Sequence, residues 1–291
     1  MAAWWELDEL SGTLAWEGIG GHHGDVQGGA AVANPAKVAA GRSFDGATGL
    51  VVVPSAPGLN AGTADFSIDA WIRPKALDGI RPIVTKQYAP ADAPLGYAFY
   101  LQAGQLSFAM SNDASAILGT APVALAVDGQ WHLAAVTIQR GSITGGRLYL
   151  DGTLIHTFDT TPLVGTVDTP AELHIAEQPA LGRGLPPRYF SDGIDEVELF
   201  HRALSSAEVL SIYTAGALGK CDKSPRPTAT RPPQPAILSR LTAPSSRLGP
   251  HFGLGERPAR GPSGAVRGQV GLQERQPGRA LRRVVAMGLD R

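Results

Sequence analysis

The chain is short of cysteine, of charge and of long apolar runs, and each shortage removes a class of protein. Its 291 residues include one cysteine, Cys221, which rules out an internal disulfide and any thiolate metal cage. No stretch approaches the roughly 18 consecutive apolar residues of a membrane-spanning helix, so no membrane partner is expected. The opening Met1-Ala-Ala-Trp-Trp-Glu shows neither the basic n-region nor the apolar h-region of a signal peptide. A cytosolic protein and the mature or truncated part of an exported one both stay open. Charged residues make up 18% against 43% hydrophobic, the balance of a globular core beneath a quiet surface.

The formal net charge of -1 conceals an asymmetry. Through Cys221 there are 12 Lys+Arg against 22 Asp+Glu, and from Asp222 onward 13 against 4. Segments of opposite charge and different composition do not share one core, so the expected division is residues 1–220 and 221–291. In the second segment Pro, Gly, Ser and Arg dominate, Phe252 is the sole aromatic and no apolar period persists. Such a segment buries too little apolar surface to offset its ordering entropy and is expected to be disordered. It is basic, but no aromatic stacking platforms alternate with the charge, which argues against a nucleic-acid partner.

The first segment reads as short strands punctuated by Gly, Pro, Asn and Asp. In Phe66-Ser-Ile-Asp-Ala-Trp-Ile-Arg, residues Phe66, Ile68, Ala70 and Ile72 face one way, and Ser67, Asp69, Trp71 and Arg73 the other. Tyr97, Phe99 and Leu101 likewise oppose Tyr100, and Leu106, Phe108 and Met110 follow at period two. Asp151-Gly152, between Arg147-Leu-Tyr-Leu and Leu154–Phe158, is the strongest hairpin signal in the chain. About a dozen such segments at a spacing of roughly 8–12 residues imply two packed antiparallel sheets. One short helix is expected after the strand Gly193–Phe200, with Ser205 and Glu208 as a capping box and Leu204, Val209 and Ile212 packing it back on the sheet.

These segments resemble the LamG-like jellyroll modules of bacterial extracellular proteins, in the concanavalin A-like lectin/glucanase superfamily. The resemblance rests on Trp5-Glu-Leu-Asp-Glu with Ser11-Gly-Thr, Ser43-Phe-Asp-Gly, Leu50-Val-Val-Val-Pro, Asp65-Phe-Ser-Ile-Asp-Ala-Trp-Ile-Arg-Pro, Trp131-His-Leu-Ala-Ala-Val-Thr, Leu148-Tyr-Leu-Asp-Gly and Gly193-Ile-Asp-Glu-Val-Glu-Leu-Phe, in order. It covers residues 3–221 and implies an all-β, two-sheet antiparallel jellyroll sandwich with one short C-terminal helix. It also implies an extracellular or cell-surface setting, with a glycan or an extracellular protein as partner.

The resemblance further implies a structural Ca²⁺ at Asp45 and Asp195. The competing reading is that Asp45 serves its Asp-Gly turn and Asp195 pairs with a nearby donor. For a sugar, Trp71 and Tyr100 are the candidate stacking rings, since both oppose core-facing residues. For Trp71 the competing reading is burial under a loop or the terminal helix.

Catalysis is not expected. Strand alternation divides Asp192, Asp195, Glu196 and Glu198 between two faces, no Gly-x-Ser-x-Gly or His-Glu-x-x-His motif occurs, and Glu196 and Glu198 read as solvated surface carboxylates. His22-His23 reads as a solvated loop and His132 as half-buried. The leading expectation is therefore a non-catalytic recognition or adhesion module that binds carbohydrate. A structural spacer without a ligand comes second and a glycoside hydrolase third. An open face with an exposed aromatic favours the lectin, and a covered face favours the spacer.

Overall fold

The computed structural model describes residues 1–89, 94–181 and 186–218. The chain divides into two compact units, Met1–Arg226 and Pro227–Arg291. The second unit, with the expectation of a disordered tail, lies outside the described residues. The first is a two-sheet sandwich.

In chain order its strands are β1 (Ala3–Trp5), β2 (Leu14–Ala15), β3 (Gly24–Gln27), β4 (Ala30–Ala33), β5 (Gly41–Asp45) and β6 (Leu50–Val53). Then come β7 (Phe66–Pro74), β8 (Ile80–Tyr88), β9 (Leu95–Gln102), β10 (Gln105–Ser111), β11 (Ala116–Ala124) and β12 (His132–Ile138). The last six are β13 (Gly146–Leu150), β14 (Thr153–Phe158), β15 (Leu173–Ile175), β16 (Glu177–Gln178), β17 (Arg188–Tyr189) and β18 (Ser191–Phe200), and helix α1 (Ser206–Ala215) follows.

One sheet has the order β14-β13-β12-β7-β18-β5-β4, with β1 added on β18; the other has the order β11-β10-β9-β8-β15-β6-β3-β2. Every pairing in both is antiparallel. A two-stranded ribbon, β16–β17, lies apart from them. Among the described residues no helix is long and apolar enough to cross a membrane.

The inner faces follow the period-two pattern. Phe66, Ile68, Ala70 and Ile72 of β7 meet Tyr97, Phe99 and Leu101 of β9 and Leu106, Phe108 and Met110 of β10 in one buried core. Packing is close enough to show in the rings: Phe66 lies 5.6 Å from Tyr97 and 5.8 Å from Phe108, centroid to centroid. The hairpin at Asp151-Gly152 has φ of 52° and 76°. Two successive positive φ values make the tight turn whose twist matches the strands, and Asp-Gly is suited to them.

Helix α1 starts as the sequence indicates. The Glu208 backbone N–H donates to Ser205 Oγ at 3.3 Å, and the Ser205 N–H donates to Glu208 Oε2 at 2.9 Å. The Arg202 guanidinium grips the same carboxylate at 2.7 and 3.0 Å, and these contacts hold Glu208 well below its ordinary pKa, at about 2. Val209 and Leu204 then close on Trp71, Leu133, Ala135, Tyr149 and Phe200, a second apolar cluster on the outer face of the first sheet.

Replacing Ser205 by Ala removes the acceptor for the Glu208 N–H and is expected to cost about 1 kcal/mol in urea unfolding. An unchanged midpoint would show that α1 is held by its apolar face alone.

Candidate functional site

Acidic side chains concentrate on the outer face of the first sheet, and a β-bulge puts them there. Asp195 pairs with Trp71 and Glu198 with Asp69, so three steps along β18 match two along β7. The extra residue, Glu196, has φ of 52°, as the inserted position of a bulge permits. Asp69 and Trp71 share a face, so Asp195 and Glu198 share it too, against the simple alternation that separates them. Glu196 joins them, its Oε2 accepting the Trp4 indole N–H at 2.8 Å. The expected solvation of Glu196 and Glu198 is corrected as well: they are 6% and 1% exposed, beside Asp69 at 1% and Asp195 at 0%.

The cover is α1. Trp71 is 2% exposed, stacked on Tyr213 with centroids 5.8 Å apart and capped by the Lys37 ammonium 3.8 Å from its ring, a cation–π contact that places a positive charge among the acids. A void of about 10 Å³ remains between Asp69, Glu196, Glu198 and the end of α1, roughly the room of one water. These carboxylates thus lie buried beside the end of the helix.

Neither candidate stacking ring reaches solvent. Trp71 fills the seam under α1, and Tyr100, 8% exposed, has its hydroxyl pushed up to about 12 by burial, against the opposing pull of Arg188 from β17. In that ribbon Arg188 donates to Gln178 Oε1 at 2.8 Å, and Gln178 to Gln87 Oε1 of β8 at 2.8 Å. The exposure on which the stacking expectation rested is absent at both positions.

Asp45 and Asp195 do not share a cation. Asp45 pairs with Ser191 on β18, four residues from Asp195, which places them about 13 Å apart along the strand. The Asp45 carboxylate closes its own turn, accepting the N–H groups of Ala47, Thr48 and Gly49 and the Thr48 hydroxyl. Those bonds hold its pKa far below the usual carboxylate range.

Asp195 differs. Its Oδ2 accepts the Val38 N–H at 2.9 Å, while its buried Oδ1 has no hydrogen-bond partner. Burial first, then the neighbouring Glu196 and Asp8, raise its pKa to about 8. Asp8 accepts the Ala40 N–H at 3.1 Å and is also shifted upward by burial. A Cβ on Gly41 would lie 3.2 Å from Asp195 Cγ. Leu7, Ala39 and Glu196, each next to one of these groups, hold left-handed φ of 61°, 48° and 52°, a concentration of strain typical of functional clamps. Among the described residues no three His, Cys, Asp or Glu side chains converge as ligands. A hard cation beside Asp8 and Asp195 would therefore complete its shell with backbone carbonyls and water.

His22, His23 and His132 are held by contacts within the fold. The buried Glu17 carboxylate accepts the backbone N–H groups of Trp4, Ile19, Gly20 and His22, and His23 stacks on Trp16 at 4.1 Å. The His22-His23 loop is thus organised and half-buried. His132 Nδ1 lies 2.8 Å from Asp151 Oδ2 and Nε2 3.3 Å from Asp128 Oδ1.

Open concavity occurs at one rim of the sandwich. A shallow groove of about 390 Å³ runs between Ser55, Ala56, Pro57 and Asn60 on one side and Asp168, Thr169 and Pro170 on the other. No residue pattern in the sequence pointed to it, because its walls are two loops more than a hundred residues apart.

With this geometry in place the chain can be compared with known proteins. Residues 45–210 match the Laminin_G_3 family, described as the concanavalin A-like lectin/glucanases superfamily. The chain belongs to that superfamily. No curated protein matches it.

Among solved structures, the binding domain of Paraclostridial Mosquitocidal Protein 1 superposes with a TM-score of 0.54 and 16% identity, over 67% of this chain and 48% of that one. The binding domain of Botulinum neurotoxin DC, solved with rat synaptotagmin II, gives 0.53 and 15%, over 73% and 51%. Trypanosoma rangeli sialidase gives 0.53 and 16%, over 73% and 32%. At such identities the likeness is one of fold. This concanavalin A-like module spans about half of the first two chains and about a third of the sialidase.

The His132 contacts set a pH dependence. Burial disfavours the charged ring, but Asp151 and Asp128 outweigh it, and the net pKa lies above the ordinary 6.5. A raised folded-state pKa means stabilisation that is complete below the unfolded value and lost as pH rises through the folded one. The advantage of the native chain over His132→Gln in thermal unfolding should therefore be complete below the ordinary 6.5 and shrink as pH rises above it. Parallel pH profiles would show that the ring carries no such charge.

Proposed function

We propose that this module is a non-catalytic recognition domain of an extracellular or cell-surface protein and that its ligand is a glycan. The observation that carries the reading is the contrast between the two polar sites. The acidic face, where a hydrolase of this fold would need an open cleft, is closed by α1 over a void of about 10 Å³. The open concavity at the rim lacks the pair of facing carboxylates that glycosidic cleavage requires. Fold alone does not choose among functions, but sealed acids and an open groove favour holding a ligand over cleaving one. The solved relatives named as binding domains agree in kind. A structural spacer is the second reading, favoured by the burial of Trp71 and Tyr100 on faces that a lectin would leave open.

The full chain is expected to be retained on immobilised oligosaccharides and to release no reducing ends from β-glucans, xylans or galactans. Hydrolysis that disappears in Glu196→Gln would overturn the non-catalytic reading, and failure to be retained on any glycan would favour the spacer.

A structural Ca²⁺ accompanies this proposal, moved from the Asp45–Asp195 pair to Asp195 and Asp8. The unpartnered Asp195 Oδ1 supports it, because a buried carboxylate oxygen without a donor is costly and a cation supplies the missing charge. Bound there, the ion would tie β18 to the loops carrying Asp8 and Val38–Gly41. Added CaCl₂ is expected to raise the melting temperature and EDTA to lower it, by mass action on the folded state. Asp195→Asn should be indifferent to both. A native chain equally indifferent would remove the ion.

A further inference from the structure

The walls of the rim groove are fixed from beneath by side chains that the fold alone does not require. Lys86 of β8, 1% exposed, extends its ammonium to the groove base, donating to Ser55 Oγ at 3.4 Å on one wall and to the Thr169 carbonyl at 2.9 Å and the Ala171 carbonyl at 2.6 Å on the other. Burial lowers its pKa to about 8, against the pull of Asp168. Placing a lysine there is costly, and its effect is to lock two distant loops at a set separation.

Other ties repeat the effect. The Gly62 N–H donates to Asp168 Oδ1 at 2.8 Å, and the Val167 N–H donates to the Gly62 carbonyl at 3.1 Å. The Tyr97 hydroxyl donates to the Leu59 carbonyl at 3.0 Å. His22 backs the Pro57–Leu59 turn so closely that a Cβ on Gly58 would lie 2.5 Å from its Nε2. A groove held this rigidly has its ordering cost met before a ligand arrives.

The lining decides the chemistry. Ser55 Oγ accepts from Lys86, so its own proton is directed elsewhere. The Asn60 amide nitrogen adds a donor and the Asp168 carboxylate an acceptor, while Ala56, Pro57 and Pro170 give apolar patches. Lys86 brings a cation to the groove walls, and Ser55, Thr169 and Ala171 occupy its three N–H donors. Asp168 repels an anionic ligand, and the Lys86 ammonium beside it has its N–H donors taken up by the walls and offers such a ligand no hydrogen bond. Hydroxyls that donate to Asp168 and accept from Ser55 or the Asn60 amide nitrogen, on a ring whose C–H face lies against proline, suit this lining.

We infer that the groove between Ser55–Asn60 and Asp168–Pro170 is the ligand site of the module, and that it takes a neutral, hydroxyl-rich sugar rather than a sialylated or sulfated one. This inference rests on the proposed recognition function and adds where the ligand sits and what charge it carries. The test uses the full chain on an array of neutral, sialylated and sulfated oligosaccharides, followed by titration with the best neutral binder. Ser55→Trp, at an exposed position, fills the groove and should abolish binding in a chain that still unfolds cooperatively, with a melting temperature lowered by the loss of the 3.4 Å bond to Lys86. Asp168→Asn keeps an acceptor for Gly62 and should weaken binding by about ten-fold, the scale of one charged hydrogen bond.

Neutral-glycan binding that survives both variants would overturn the groove while leaving the recognition function in place. Selection of acidic glycans, lost as salt is raised, would overturn the ligand chemistry. A native chain that retains no glycan would overturn the recognition function and the groove with it.

Discussion

The structure depends on the burial of one sheet from both sides. β7 and β18, at the centre of the first sheet, meet the second sheet on their inner faces and α1 with its cluster on their outer faces. Trp71 is the hinge of that arrangement, since its ring fills the space between β7 and Tyr213 of α1. Once α1 is in place the outer face cannot be a solvated face, and whatever polar groups it carries must be satisfied inside. Ser67 shows how this is met: its Oγ donates to the Arg202 carbonyl and accepts the Leu204 N–H, both at 2.9 Å, tying strand to helix entrance.

The acids on that face follow from the same constraint. Buried carboxylates need hydrogen-bond donors, a countercharge or a proton, and here each device appears. Trp4 donates to Glu196, Lys37 brings a cation over Trp71, and Asp195 lies in surroundings that disfavour its charged form. An open cleft would have left these groups hydrated and reactive. Under α1 they connect the N-terminal strand, the Val38–Gly41 segment and β18 into one polar seam.

Charged side chains also organise the rim. Glu17 gathers one backbone N–H from β1 and three from the loop after β2, Lys86 bridges the groove walls, and Arg140 donates to the carbonyls of Leu163 and Gly165 at 2.9 and 2.7 Å. Loops at the ends of a rigid sandwich are where binding surfaces are ordinarily built. Here they are held by charged side chains from β8 and from the ends of neighbouring strands, which tie the rim to the sandwich.

The amino-acid order alone determined the sandwich. Period-two runs such as Phe66–Ile72 place their apolar members inward because successive strand residues point oppositely. Asp151-Gly152 suits two positive φ values, and Ser205 with Glu208 caps a helix with atoms three residues apart. Each of these is a local relation between neighbours in sequence. What surrounds a strand's second face is not local, so Tyr100, Glu196 and Glu198 read as exposed and Trp71 as either exposed or covered, and only α1 and the β16–β17 ribbon decide for burial. A single inserted residue, Glu196, reversed the facing of Asp195 relative to Glu198, because alternation counts residues whereas a bulge adds one without a partner. Asp45 and Asp195 stand about 13 Å apart because β5 and β18 pair in a register that neither strand specifies alone. The groove, built from loops that meet only across the closed sandwich, existed nowhere in the sequence as a pattern.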